Sequence, residues 1–236
     1  MIAVVASEWD DAARALVARW RGEGAALIGA RDLCTLGWVF GVASDAGTQG
    51  RFVAEAAVHP TAALDGVLVR RPAVAAEELR WIAAEDRAYV AAETNAFLVS
   101  WLDALPCTVL NRPSANSLSG PGWSQRQWQL AAARAGVAWA SSRNRGEETE
   151  LMFCAGAVHG ASNARRRAAA RSLSAAAGAA LLGLRFVGDA VAAVTTRPPL
   201  ANPAAAEIVL AHLRSRPGSS QDHRDHRRQK LFARSA

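Results

Sequence analysis

The sequence predicts an α/β protein: a mostly parallel sheet with flanking helices, followed by a smaller α+β portion. Three observations predict it. Apolar runs of strand length ("MIAVVAS", "ALIGARDL", "DGVLVRRP", "CTVLN") alternate with segments whose apolar residues recur at helical spacing. The stretch "VLNRPSANSLSGPGWSQRQWQLAAARAGVAW", residues 109–139, opens as a strand, breaks at proline and glycine and enters an amphipathic helix. A chain of 236 residues, 51% hydrophobic and 20% charged, is long and apolar enough to bury a substantial core. Strands that alternate with helices expect a sheet covered on both faces, with ligands beyond its carboxyl ends.

In chain order, "MIAVVAS" is the first strand. The next segment sets Ala12, Leu16, Val17 and Trp20 at helical spacing and stops at Gly-Glu-Gly. "ALIGARDL" is a strand with its exit. "GWVFGVASDAGTQGRFVAEA" has two β-rich runs around "SDAGTQG", a hairpin signal. "DGVLVRRP" is a buried strand stopped by Pro72, which places Arg70 and Arg71 at a carboxyl end. Residues 76–105 predict one long helix or two abutting ones, with Leu79, Ile82, Tyr89, Val90, Phe97, Leu98, Trp101 and Leu105 as the apolar set. "SQRQWQLAAARAG" is a helix with Trp128, Leu130 and Ala131 facing inward and Gly136 just past its end. "LMFCAGAVHG" is a strand, and "ASNARRRAAARSLSAAAGAALLGL" an Ala-rich helix with Arg165, Arg166, Arg167 and Arg171 on a solvated face. "RFVGDAVAAVTTRPPLANP" reads as a strand, a turn and a short strand into Asn202, and "AAAEIVLAHLRS" closes the fold as a helix. The eight Trp fall mostly at periodic positions, where packing is the default, and the sequence shows no internal repeat.

Charge and cysteine content narrow the function classes. Of the net charge of +6, residues 214–236 contribute +5 and the preceding body only +1, so a nucleic-acid reading rests on the tail alone. That tail is expected to be disordered, to attract polyanions non-specifically, and to offer at most a weak chelate at His223 and His226. Cys34, Cys107 and Cys154 are odd in number and sit among apolar residues, which reads as buried hydrophobes. No apolar run is long enough to span a bilayer and the first residues do not read as a signal pattern, so a cytoplasmic location is the expectation.

The order of these elements resembles RimK-like ATP-grasp ligases, in particular the peptide-macrocyclising members that make graspetides. The likeness is carried by Arg70, Arg71 and Pro72 at a strand end, Glu93 in the following helix, Asn111 and Pro113 at a strand exit with Arg112 between them, and Gln129, Leu130, Ala135 and Gly136 in the next helix. "LLGLRFVGDAVAAVTTRPPLANP" is similar to the family's last segment, where a strand supplies Asp and the next supplies Glu-x-Asn to hold magnesium. The resemblance covers most of residues 60–213. It implies a pre-ATP-grasp-like α/β domain over 1–113, a shortened ATP-grasp-like segment over 114–213 and the basic tail over 214–236. It also implies ligand-binding roles for Arg70, Arg71, Glu93, Asn111 and Arg112, and vestigial metal ligation by Asp189 and Asn202.

The departures from the family are as informative. A long central lobe carrying phosphate-gripping lysines should follow Gly136, yet only "VAWASSRNRGEETE" separates Val137 from Leu151. The single lysine is Lys230, in the tail. Gln125 or Gln127 stands where the family shows a Lys, and Arg143 and Arg145 are poor substitutes for ammonium groups rising from a strand. Losing two charge-assisted contacts of roughly 1.5–3 kcal/mol each weakens a nucleotide by roughly two to four orders of magnitude. The place of the metal-binding Glu is Leu200, which cannot ligate Mg²⁺. Equally, Asp189 reads as a turn residue after Gly188 and Asn202 as a cap ahead of Pro203.

The resulting expectation is a degenerate ATP-grasp-like protein, with no catalytic residues and no cofactor, that binds or assembles with a peptide, a small molecule or a full-length ligase. Its alternative is an ATP- and Mg²⁺-dependent carboxylate–amine ligase whose nucleotide site is completed by a partner subunit. Apolar surface left by the missing lobe predicts a homo- or hetero-oligomer.

Overall fold

The computed structural model describes residues 1–40, 50–141 and 146–215. The hairpin centre at 44–49, the substitutes Arg143 and Arg145, and all of the basic tail beyond Ser215 lie outside these residues.

The amino-terminal half is built on a four-stranded parallel sheet. Its strands are β1 (Ile2–Val5), β2 (Ala25–Ile28), β5 (Gly66–Val69) and β6 (Thr108–Leu110), in the order β2-β1-β5-β6. The two central strands are buried at every position, which is why they read as unbroken apolar runs. Alternation then divides them: Ala3, Val5, Val67 and Val69 face one core, Ile2, Val4 and Leu68 the other. Helix α1 (Asp11–Arg19) connects β1 to β2, and α3 (Arg87–Ala104) lies between β5 and β6. These two connections move outward in opposite directions, so right-handed crossovers put their helices on opposite faces. The core clusters agree, with Leu16, Val17 and Trp20 in one and Leu98, Trp101 and Leu102 in the other.

Several local expectations need correction. In α1 the buried alanine is Ala13, while Ala12 faces solvent, because Asp10 caps the helix through Ala13 N–H (2.9 Å) and sets its phase one residue later. "ALIGARDL" ends in a short helix α2 (Ala30–Leu33), where the Asp32 carboxylate accepts a hydrogen bond from Gly29 N–H. Residues 76–105 do not form continuous helix: a 3₁₀ turn (Ala76–Glu78) inserts Leu79 into the core, and α3 begins only at Arg87. Arg87 itself holds the intervening turn by donating to the carbonyls of Ile82 and Arg80. Tyr89 is consequently 69% exposed. Trp9 and Trp81 are exposed as well, each with an arginine over its ring.

Strands β3 (Arg51–Ala54) and β4 (Ala57–Pro60) pair as a hairpin whose turn, Glu55-Ala56, has positive φ at both residues. The expected pairing of the preceding β-rich run is seen as the bridge between Val39 and Arg51.

After α4 (Gln125–Arg134) the carboxyl-terminal half is an antiparallel sheet, ordered β10-β9-β7-β8. Strand β7 (Glu148–Cys154) turns at Ala155-Gly156 into β8 (Ala157–Gly160), so "LMFCAGAVHG" is most of a hairpin and not one strand. Ala57-Val58-His59 and Ala157-Val158-His159 occupy equivalent return strands of two similar hairpins, a small repeat that sequence inspection missed. Strand β9 (Leu181–Val187) turns at Gly188-Asp189 into β10 (Ala190–Thr195), and residues 196–202 are not a strand. Helices α4 and α5 (Ala164–Ala177) cover one face of this sheet through Trp128, Ala132, Ala170 and Leu173. Leu130 is on the far side of α4, 52% exposed.

Helix α6 (Pro203–Arg214) joins the halves. Ala206, Val209, Leu210 and Leu213 share a core with Ile2, Val4 and Leu68 of the parallel sheet and with Met152, Cys154 and Leu181 of the antiparallel one. The fit is close enough that a Cβ on Gly66 would lie 2.5 Å from the Leu213 carbonyl oxygen. Arg214, the first residue of the expected tail, is still helical and pairs with Glu23.

Candidate ligand-binding site at the seam of the two sheets

The residues expected to bind ligand are gathered near the seam, but most of their polar atoms serve the fold. Arg71 is 3% exposed and donates to Glu78 (2.7 Å) and to the carbonyls of Ala73 and Ala6. Burial lowers its pKa, and the Glu78 carboxylate works against that shift. Arg70 reaches the other way, to Asp10 (3.1 Å) and to the carbonyl of Pro198 (3.1 Å). Arg112 donates to the carbonyls of Leu102, Asp103, Leu105 and Cys107, so its guanidinium caps the carboxyl end of α3. Glu93 is on the solvent face of α3 and is not brought to the seam interactions of the other four.

Asn111 is the most constrained of the set. Its Oδ1 accepts Leu181 N–H and its Nδ2 donates to Leu181 C=O, both at 2.8 Å, with a longer contact to Thr196 C=O at 3.4 Å. One buried amide thereby pins the end of the parallel sheet to β9 and to the segment after β10. Asn95 does the same for the chain after β5, gripping both backbone groups of Val74. Nothing in local sequence distinguishes Asn95 from an ordinary polar residue of a helix, and it was missed.

The two expected metal positions stand apart. Asp189 lies in the β9–β10 turn, where it accepts from Asn163 (2.8 Å) and pairs with Arg166 and Arg165. The Asn163 hydrogen bond and these guanidinium groups hold its pKa below the ordinary carboxylate value. Asn202 caps α6 through Ala204 N–H (2.9 Å). Both therefore follow the turn-and-cap reading. Among the described residues no group of three or more His, Cys, Asp or Glu is placed to hold a metal ion. Gln127 completes a reciprocal cap with Ser124 at the start of α4.

A broad concavity lies on the face of the antiparallel sheet opposite α4 and α5. It is a groove of about 480 Å³ with Met152, His159, Gly183 and Thr195 on its floor, Arg185 at its rim and Pro198 and Asn202 on its wall. The floor follows from pairing: Met152 lies opposite both Gly183 and His159, and Thr195 opposite Gly183. A register shift between Val191 and Ala193 irregularises β10. At the outer end Glu150 stands across from Arg185, which also pairs with Glu148 (3.3 Å), so a charged rim borders an apolar floor. Arg70 and Asn111 fix the wall, since their partners Pro198 and Thr196 belong to the segment between β10 and α6.

The three cysteines are free, with Cys107 and Cys154 buried and Cys34 half-buried. Burial pushes Cys107 up to about 11 and Cys154 up to about 12, away from nucleophile or metal-ligand chemistry.

At the level of sequence, no family model and no curated protein matches this chain. Its fold has clear counterparts among solved structures. It is similar to the macrocyclase MdnC of Microcystis aeruginosa MRC bound with precursor peptide MdnA, with TM-score 0.65, 10% identity, and coverage of 91% of this chain and 99% of that one. It is also similar to a Chryseobacterium gregarium RiPP-associated ATP-grasp ligase in complex with ADP and a leader and core peptide, with TM-score 0.64, 8% identity and coverage of 89% and 96%. A third likeness is to the ATP-grasp ligase PsnB complexed with minimal precursor, Mg and ADP, with TM-score 0.60, 9% identity and coverage of 89% and 97%. The chain thus has an ATP-grasp-like fold; no helix among its described residues is long and apolar enough to cross a membrane.

Proposed function

We propose that this protein is a reduced, non-catalytic relative of the ATP-grasp peptide ligases that binds a peptide segment in the groove of its antiparallel sheet. The observation that carries this reading is the groove itself: an apolar floor at Met152 and Gly183 flanked by His159 and a Glu150/Arg185 rim, suited to a chain with alternating apolar and charged side chains. The peptide-bound states of the similar ligases support the choice of ligand class. The degenerate nucleotide site is supported by the sequence, whose only lysine is Lys230, and by the engagement of Asp189 and Asn202 in a turn and a helix cap.

A panel of short synthetic peptides of varied charge, titrated by fluorescence anisotropy, tests the groove. Wild type is expected to select among them, and the charge swap Arg185→Glu to change which are selected; indifference to that swap sinks the reading. Mg²⁺–ATP at millimolar concentration is expected to leave the melting temperature unchanged, since a ligand that binds the native state must raise it.

The near-complete span of the ligases matched by this chain favours a second reading, a ligase whose nucleotide site is completed by another subunit. Stabilisation by Mg²⁺–ATP only in the presence of a partner protein would select it.

A further inference from the structure

A second cavity, of about 270 Å³, lies where the loop at 113–124 meets the end of β10. Its wall includes Ser117, Ser119, Gly122, Trp123, Trp128 and Arg197, and among the described residues no Asp or Glu lines it. The loop is shaped for this enclosure. Ser114 and Ser117 pair with each other, Leu118 N–H bonds the Pro72 carbonyl (2.7 Å), and Gly122, at φ +62, brings its backbone so near Ser117 that a Cβ would lie 2.8 Å from that side chain.

The polar side chains of this cavity are neutral hydroxyls and one amide, with Arg197 as the charged group among the described lining residues. Ser119 is 1% exposed and Ser117 is also buried. Ser117 Oγ accepts the amide of Ser119 at 3.2 Å, which leaves its own proton for another partner, and the two hydroxyl oxygens are 3.5 Å apart, the limit of a hydrogen bond. Arg197 adds a cation. Its backbone N–H bonds Thr195 Oγ1 (3.1 Å), but its guanidinium has no hydrogen bond or ion pair among the described residues. Arg197 is exposed as a residue, yet desolvation and the neighbouring Arg70 both lower its pKa, and the compensating carboxylate, Asp10, already accepts from Arg70 and caps α1. Two guanidinium groups thus share one engaged carboxylate beside a cavity with none among its described lining residues.

We propose that this cavity binds a small oxyanion, a carboxylate or a phosphate group, with Arg197 as its charge partner and the Ser117 and Ser119 hydroxyls as neutral donors. A guanidinium presents paired N–H groups that match either anion, and the hydroxyls can turn their protons inward without breaking any bond the fold requires. The cavity adjoins the groove and shares Val194 and Thr195 with it, but Ser117, Ser119 and Arg197 do not line the groove, so the proposal stands whether or not a peptide binds there. The Trp123–Trp128 edge-to-face pair, with ring centroids 4.8 Å apart, forms an apolar side of the cavity and a built-in optical reporter.

The test is titration of the full-length protein with sodium phosphate and, separately, with sodium acetate, at ionic strength matched with sodium chloride, read by tryptophan fluorescence and calorimetry. One of the two anions is expected to saturate, and which one does identifies the source. Arg197→Gln should weaken that binding by about tenfold or more, equivalent to about 1.4 kcal/mol, with partial recovery in Arg197→Lys. Ser119→Ala should weaken it to a smaller extent, and Arg165→Gln on the exposed face of α5 should not change it. Because the Arg197 guanidinium holds nothing in place, the glutamine variant is expected to fold with an unchanged or raised melting temperature. Absence of saturation with both anions through the millimolar range, or equal binding by wild type and a folded Arg197→Gln, overturns the proposal.

Discussion

Substituting Asn111 by alanine should destabilise the protein far more than the loss of a polar surface residue would. The side chain is 2% exposed, and its amide satisfies both the N–H and the C=O of Leu181, which is itself buried in the core shared by the two sheets. Alanine leaves that donor and that acceptor facing a space that held an amide. A buried polar group left unpaired costs about 1–3 kcal/mol. Two such groups, partly relieved by entry of water or a shift of the chain, give a loss of about 2–4 kcal/mol. Urea denaturation followed by tryptophan fluorescence should show the midpoint falling with an unchanged slope, and the melting temperature should drop by roughly 5–15 °C for a chain of this size. Asn111→Asp is the sharper control: it retains the acceptor for Leu181 N–H but sets a carboxylate against the Leu181 carbonyl, so it should be no better than alanine. A loss under about 1 kcal/mol for Asn111→Ala, or a rescue by Asn111→Asp, would refute the view that this amide is a clamp joining the sheets.

Other outcomes follow from the same structure. Glu78→Ala strands the buried Arg71 guanidinium with only the Ala6 and Ala73 carbonyls, and should cost about 2–3 kcal/mol in urea denaturation. Gly66→Ala drives a methyl group into the Leu213 carbonyl and should cost about 1–3 kcal/mol by the same assay, through displacement of α6. Thiol titration of the native protein at mildly alkaline pH should label Cys34 ahead of Cys107 and Cys154, whose thiols are buried and weakly acidic, and all three together only after denaturation. His212 at the end of α6 has its pKa lowered by burial, so the unfolded chain binds its proton more readily. The stability it contributes is complete above the unfolded value near 6.5 and is lost as pH falls through the depressed native value. A His212→Asn variant should therefore lose less stability than wild type between pH 7 and pH 5.

The parallel sheet was legible in the sequence because its strands are buried on both faces and their composition alone marks them. "MIAVV" and "GVLV" have no competing helical reading of useful length, and Pro72 fixes where β5 ends. The antiparallel half was less legible because its turns carry weak signals. Ala155-Gly156 and Glu55-Ala56 both require left-handed backbone, yet of these four residues only Gly156 advertises it. A strand reading that ran through Ala155 was therefore natural. The start of α3 was hidden for a related reason: residues 79–86 are good helix formers, but Leu79 is drawn into the core and Arg87 ties the turn to its own helix, a tertiary demand that propensity does not register.

For the candidate site, polar residue types at strand ends mark where side chains meet the backbone of the fold. Arg70, Arg71, Asn111 and Arg112 all lie where the resemblance put them, and each is occupied by backbone carbonyls, a backbone amide or a carboxylate of the fold. A seam between two sheets exposes many unpaired peptide groups, and long side chains with several donors are the economical way to satisfy them. Arg197 had no such motif to announce it, sitting in a Thr-Thr-Arg-Pro-Pro turn that reads as a connection. Its significance comes from what surrounds it: a cavity lined with neutral hydroxyls, and a second arginine that has already taken the nearby carboxylate. Specific chemistry at this seam is therefore better sought in a side chain without a protein partner among the described residues, such as the exposed Arg197, than in those whose positions match a ligase, since an engaged guanidinium must break its present bonds before it can hold a ligand.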